Sequence, residues 1–198
     1  MTLAELYAET AAELPSDKPR SGLWPVYEEL LAPWRERPVR LLEIGVRQGG
    51  ALLTYARWFA DARCFGLDLE RPPRAFSFVA DQLGLADRIS VLLGDQAEPP
   101  AALSDLDIVI DDAGHLYAPT RAALLALWPR LRPGGLYVVE DWQAGQWNEE
   151  KYGADGGLRA LLHQCLDELA NPSLLPALAR VLVLPRAFAL YKETSGEA

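Results

Sequence analysis

The chain has 198 residues, half of them apolar and a quarter charged, enough for one α/β domain with a full core and short for two. A net charge of −9 argues against the basic face that phosphate neutralisation requires, so neither nucleic acid nor an anionic membrane is expected as a partner. No apolar run approaches the roughly 20 residues of a membrane span, and Glu5, Glu9 and Glu13 stand where a signal peptide would be basic. Cys64 and Cys165 lack metal-ligand spacing and read as buried free thiols, which together with the missing signal predicts a reducing, cytoplasmic setting.

Leu3, Leu6, Tyr7 and Leu14 fall near one face of a short acidic helix, and the prolines and small polar residues from Pro15 to Gly22 predict a loop. A second helix is expected over Val26 to Leu31, ending near Pro33. Residues 1–35 thus read as an N-terminal helical segment that can serve as a lid, ahead of a 36–198 portion that carries the cofactor chemistry, all within one globular domain. Apolar runs follow at Val39 to Ile44, Cys64 to Leu67, Ile89 to Leu93, Leu106 to Ile110 and Leu136 to Val139. Helical patterns separate them at Ala51 to Ala60, Ala75 to Leu83 and Thr120 to Leu131. Continuous apolar strands alternating with helices predict a doubly wound α/β fold whose parallel sheet is covered on both faces. After a helix near Gly157 to Leu169, Val181 to Leu184 and Ala187 to Tyr191 are joined only by Pro185-Arg186. So short a link forbids a parallel crossover and predicts an antiparallel pair at the end of a mostly parallel sheet. Thr194 to Ala198 reads as a frayed end.

The most informative stretch is Arg40-Leu-Leu-Glu-Ile-Gly-Val-Arg-Gln-Gly-Gly50, a buried strand running into a glycine turn, with Gly45 and Gly49, before a helix. Doubly wound sheets place a nucleotide at that point. Glu43 beside the turn would repel the pyrophosphate of NAD or FAD but suits a cofactor carrying an ammonium and a sulfonium and no phosphate, namely S-adenosylmethionine. The second strand ends at Asp68, placed to accept bonds from two ribose hydroxyls. The third ends at Gly94-Asp95-Gln96, where Asp95 and Gln96 would face the adenine edge. The absence of a G-x-G-x-x-G match also disfavours a nicotinamide enzyme.

A second acidic group follows. The fourth strand ends Asp111-Asp112-Ala-Gly-His115 and the fifth Glu140-Asp141-Trp142, so Asp111, Glu140 and Asp141 can converge with Asp112 nearby. Carboxylates so crowded repel unless neutralised, and a hard divalent cation such as Mg²⁺ resolves that repulsion with oxygen ligands. The alternative is that Asp112 and Asp141 cap helices or bond a substrate and no metal binds. His115 is placed to act as general base towards an acceptor hydroxyl, with a capping or backbone-bonding histidine as the other reading. Lys18 in the N-terminal loop and Trp142 and Trp147 beside the Glu-Asp strand end are candidate substrate contacts. His163 reads as a helix surface or packing residue.

These stretches resemble class I S-adenosylmethionine-dependent methyltransferases, and among them the macrocin- and mycinamicin-type sugar O-methyltransferases with the cephalosporin hydroxylase-like group. The segments that carry the resemblance are Ser16-Asp-Lys18, Val26 to Pro33, Leu41 to Val46 with Gly49-Gly50, Phe65 to Asp68, Gly94 to Gln96, Ile110 to Asp112 with His115, and Pro133 to Asp141, about two thirds of the chain. The resemblance implies a seven-stranded Rossmann-like sheet with an antiparallel last strand, cofactor contacts at Glu43, Gly45, Asp68 and Asp95, and Mg²⁺ at Asp111, Glu140 and Asp141; Asp111 is also a candidate cofactor contact and, with His115, a candidate catalytic residue. It further implies O-methyl transfer to a small-molecule hydroxyl in natural-product biosynthesis. The chain differs from the group in having Ala113-Gly114, Trp142 to Trp147 and Pro185-Arg186 at its motif edges, so a non-methylating cofactor-binding role is the alternative. Pairing of chains through the amphipathic N-terminal helix is a further expectation.

Overall fold

In the computed structural model, residues 1–10 and 14–194 are described; residues 195–198 of the expected frayed end lie outside them. The chain groups into two compact units, Met1–Leu93 and Gly94–Ala198. Among the described residues the seven expected strands are all present. No helix among them is long and apolar enough to cross a membrane.

The first unit begins with helix α1 (Leu3–Ala8), where Thr2 and Glu5 form a reciprocal capping box. It stops well before Leu14, which is nevertheless fully buried. Inside the expected loop lies a short helical turn, α2 (Lys18–Ser21), with Pro19 in its first turn, where the missing N–H costs nothing. Gly22 (φ 72°) then reverses the chain into α3 (Leu23–Leu31), earlier than the Val26 start expected from sequence. Pro25 does not delay the helix because it falls in the first turn. Strand β1 (Val39–Ile44), helix α4 (Gly50–Trp58), strand β2 (Ala62–Asp68), helix α5 (Arg74–Gln82) and strand β3 (Ile89–Leu93) follow. β1 and β2 pair in parallel with Glu43 opposite Gly66, and β2 and β3 in parallel with Asp68 opposite Leu93. Aromatic rings of Tyr7, Trp24, Tyr27 and Tyr55 join the N-terminal helices to α4, at centroid separations of 5.6, 5.8 and 5.7 Å. Tilted and edge-on pairs at this range add to simple burial.

The second unit holds strand β4 (Leu106–Asp111), helix α6 (Tyr117–Leu127), strand β5 (Leu131–Glu140), helices α7 (Ala144–Trp147), α8 (Glu149–Tyr152) and α9 (Gly157–Ala170), and strands β6 (Leu178–Val183) and β7 (Ala187–Lys192). β4 and β5 are parallel, while β7 runs antiparallel to both β5 and β6, as the two-residue link required. β5 starts before the expected Leu136 because Leu131 already pairs with Leu106, and an irregularity then absorbs Arg132-Pro-Gly-Gly. Both cysteines are free and buried, and burial pushes each thiol up to about 12, so neither offers a thiolate.

Glu168 anchors the loop after α9. Its carboxylate accepts from the N–H groups of Ser173 (2.7 Å), Leu174 (2.8 Å) and Leu175 (3.1 Å) and from the Ser173 hydroxyl (2.9 Å). Burial raises the carboxyl, but these bonds outweigh it and bring it down to about 2. Because the folded value lies below the unfolded one, this stability is present above pH 4.5 and is lost as pH falls through about 2. Glu168→Gln is therefore expected to cost about 1–3 kcal/mol in urea unfolding at pH 7. The gap from wild type should narrow as unfolding is repeated towards pH 3; a pH-independent gap would remove the charge from the explanation.

Candidate active site

In the first unit, the turn after β1 is built by backbone conformation. Gly45 (φ 89°) and Gly49 (φ 87°) adopt left-handed values that side chains resist. A Cβ on Gly49 would stand 2.1 Å from the Phe76 ring, and one on Gly50 the same distance from the Leu14 carbonyl oxygen, so both positions admit only glycine without local movement. Arg47 (φ 51°) is also left-handed, and its N–H donates to Asp68 Oδ2 at 2.8 Å, tying the turn to the end of β2. Asp68 Oδ1 accepts from the Glu70 N–H at 3.2 Å. Each of these oxygens has a second lone pair, so Asp68 retains the capacity for ribose hydroxyls.

Glu43 is buried, and its Oε1 lies 3.8 Å from the Lys18 Nζ, itself only 1% exposed. The Lys18 ammonium also sits 5.9 Å from the centre of the Tyr27 ring. Lys18 was expected on a flexible loop, as a lid or substrate contact or as a solvated lysine; the structure buries it beside Glu43, the carboxylate the sequence assigned to the cofactor.

In the second unit, Asp95 is exposed and accepts from the Ala97 N–H at 2.9 Å, a local turn bond, while the half-buried Gln96 donates to the Thr120 hydroxyl at 3.5 Å. The sequence placed Asp111, Glu140 and Asp141 together as metal ligands. The ligand atoms that come within 4.8 Å of one another among the described residues belong to Asp112, His115 and Asp141. Asp111 lies at the end of β4 but is buried and accepts from the Tyr137 hydroxyl at 3.1 Å. Burial pushes its carboxyl up to about 7, against the pull of the Tyr137 and Ala113 bonds. Glu140, at the end of β5, is also buried.

His115 Nε2 lies 3.8 Å from Asp141 Oδ2, and the imidazole faces the Tyr152 ring at 6.2 Å. Both His115 (φ 54°) and Asp141 (φ 53°) hold left-handed backbone, an unfavourable state for non-glycine residues that persists where surrounding structure enforces it. For Asp141 that enforcement is visible. The Asp141 N–H donates to Arg186 O (2.6 Å), Trp142 Nε1 to Leu184 O (2.9 Å) and Gln143 Nε2 to Pro185 O (2.7 Å). Trp142 is thus half-buried and bonded to the β6–β7 turn. The Arg186 guanidinium returns to Asp141 Oδ1 at 3.1 Å.

Sequence reasoning did not assign roles to Arg186, Tyr137 or Tyr152. For Arg186 a signal existed: a two-residue link forces β7 back along its neighbour, and the observed register sets Glu140 opposite Ala187, hence position 141 beside 186. Tyr137 lies two residues before Val139 on β5, whose partner in register is Asp111, a relation that needs the register itself.

A family described as a methyltransferase domain matches residues 42–142. The chain is 41% identical over 133 residues to the 8-demethyl-8-alpha-L-rhamnosyl tetracenomycin-C 2'-O-methyltransferase of Streptomyces olivaceus, covering 61% of this chain and 33% of that protein. It is 34% identical over 136 residues to the mycinamicin VI 2''-O-methyltransferase of Micromonospora griseorubida, covering 62% of this chain and 32% of that one. The chain therefore spans about a third of the length of these curated relatives. The structure of the methyltransferase MycE from the mycinamycin biosynthetic pathway, in complex with Mg, SAH and mycinamycin VI, superposes with a TM-score of 0.72 at 27% identity, over 89% of this chain and 50% of that one. A structure from Methanococcus maripaludis shares the fold at 13% identity, with a TM-score of 0.62 over 99% of this chain and 93% of the other. The fold is the mostly parallel seven-stranded α/β fold with an antiparallel last strand, and the chain belongs to the methyltransferase domain family.

Proposed function

We propose that this chain transfers a methyl group from S-adenosylmethionine to a hydroxyl oxygen of a small molecule, a sugar on a natural-product scaffold, with Mg²⁺ assisting. The observation that carries the proposal is the convergence of Asp112, His115 and Asp141 at the ends of β4 and β5, in a chain whose relatives act on such hydroxyls. When bound, the cofactor supplies an electrophilic methyl and the ion supplies Lewis acidity to the acceptor oxygen. The residues present fit both groups: the half-buried Asp112 and the buried Asp141 offer the oxygen ligands that suit a small divalent cation. A turn that excludes Cβ atoms beside a ribose-accepting aspartate suits a nucleoside.

The chain's own residues then have distinct tasks. Asp68 would accept the ribose hydroxyls, and Gly45 and Gly49 would let the backbone approach the ligand. Asp95 and Gln96 keep their assignment to the adenine edge on the sequence pattern. Asp112 and Asp141, with Glu140 preceding Asp141 in sequence, would hold the ion. His115, whose Nε2 faces Asp141, would take the acceptor proton on its other ring nitrogen, Nδ1. Asp111 would support the strand end through Tyr137 rather than bind metal. Methylation is then mostly a matter of alignment.

The test is calorimetric titration of the purified chain with S-adenosylhomocysteine, followed by methyl transfer to rhamnosyl and other deoxysugar glycosides with Mg²⁺ or with EDTA. Micromolar binding and EDTA-sensitive transfer are expected. Binding without transfer to any such acceptor would leave a cofactor-binding homologue; no binding would remove the cofactor from the reading.

A further inference from the structure

The acidic cluster carries a cation of its own. Arg186 lies in the link between β6 and β7, and three consecutive residues after β5 grip that link through its carbonyls, so the position of Arg186 is fixed from both sides. Its guanidinium Nη2 stands 3.1 Å from Asp141 Oδ1, while Asp141 Oδ2 faces His115 at 3.8 Å. The other face of the guanidinium is covered by the Trp147 ring, 4.9 Å from its carbon to the ring centre, where cation–π attraction holds it. Trp147 itself is 49% exposed, so the ring serves as a cover for the arginine rather than as core packing.

We propose that Arg186 is a built-in counter-cation that shares Asp141 with the divalent ion and keeps the ion weakly held and exchangeable. One carboxylate is thereby asked to serve two cations. Its Oδ1 lies within ion-pair range of the guanidinium and its Oδ2 faces His115, so the ion would meet a half-neutralised ligand. A guanidinium and a divalent ion sharing one carboxylate repel each other even in water, enough for about tenfold in affinity, and more where the Trp147 ring limits screening. An arginine cannot relieve the conflict by losing its proton. Orientation acts in the opposite sense, because Arg186 also steadies Asp141. The clamp by residues 141–143 already fixes that backbone, so repulsion dominates.

This rests on the divalent-cation reading of the cluster, and the experiment separates the two. Mn²⁺ binding to the full chain is followed by electron paramagnetic resonance of the free ion for wild type, Arg186→Gln, Arg186→Lys, Asp141→Asn and Arg186→Gln/Asp141→Asn, each checked for folding by its melt in EDTA. Arg186→Gln is expected to bind Mn²⁺ about tenfold or more tightly. Arg186→Lys, which keeps the charge, should stay near wild type, and the double variant should lose the gain. Binding to Arg186→Gln that equals or falls below wild type overturns the proposal and leaves the metal site standing. If Asp141→Asn binds as wild type does, or no variant binds at millimolar Mn²⁺, the cation reading falls and the proposal with it.

Discussion

Asp141→Asn is expected to lower methyl transfer by on the order of 10²–10³-fold, since electrostatic help from a metal-held acceptor is worth several kcal/mol and each 1.36 kcal/mol is tenfold in rate. Asparagine tolerates the left-handed backbone that position 141 requires (φ 53°) and matches aspartate in size, so the substitution changes charge and little else. Three consequences follow from that one charge. On the proposed reading the ion would lose an anionic ligand and His115 the carboxylate that orients it, while Arg186 loses its ion-pair partner. Because the clamp on the β6–β7 link uses the backbone of residue 141 and the side chains of 142 and 143, the link should stay in place. Asp105→Asn is the matched control, being an exposed aspartate with the same left-handed backbone (φ 53°) in the same unit. Single-turnover transfer should collapse for the first and persist for the second, with S-adenosylhomocysteine affinity preserved in both. Full turnover by Asp141→Asn would take this residue out of the chemistry.

The parts of the molecule that were legible in the sequence are those fixed by local periodicity and short connections. Apolar runs alternating with helical patterns identified the strands, and the Pro185-Arg186 link identified the antiparallel pair, because a two-residue connection permits nothing else. Strand ends were equally legible, which is why Glu43, Asp68, Asp111 and Glu140 were found where strands stop. What the sequence did not carry is which of two adjacent carboxylates turns to which side. Asp111 and Asp112 differ by one position, and successive residues of a strand point to opposite faces. The buried side of Asp111 was taken by a tyrosine hydroxyl from the neighbouring strand, and no spacing rule announces that. The short helices α7 and α8 escaped notice for a related reason: four residues give no period to read. Lys18 was misread as a loop lysine because proline and serine around it outvoted the single turn it begins.

That misreading bears on the largest stability effect expected in the first unit. Glu43 was argued from sequence as a carboxylate in need of a cofactor ammonium, yet the chain supplies an ammonium from Lys18, and both side chains are withdrawn from water. Removing one partner of a buried ion pair typically costs about 3–5 kcal/mol, since the survivor stays buried with its charge less compensated. Lys18→Met retains the apolar bulk against Tyr27 while removing the charge. It is expected to lower the melting temperature by about 10 °C or more, given about 2–4 °C per kcal/mol for a chain of this size. Lys18→Met/Glu43→Gln, which removes both charges, should recover a large part of that loss, and the double-mutant cycle should return a favourable coupling of at least about 1 kcal/mol. The same cycle repeated on S-adenosylhomocysteine affinity separates two roles for Glu43. If its carboxylate serves the fold through Lys18, the double variant regains cofactor affinity with stability. If it serves the cofactor directly, stability returns and affinity does not. A Lys18→Met variant that melts with wild type would show that the buried pair does not hold the fold.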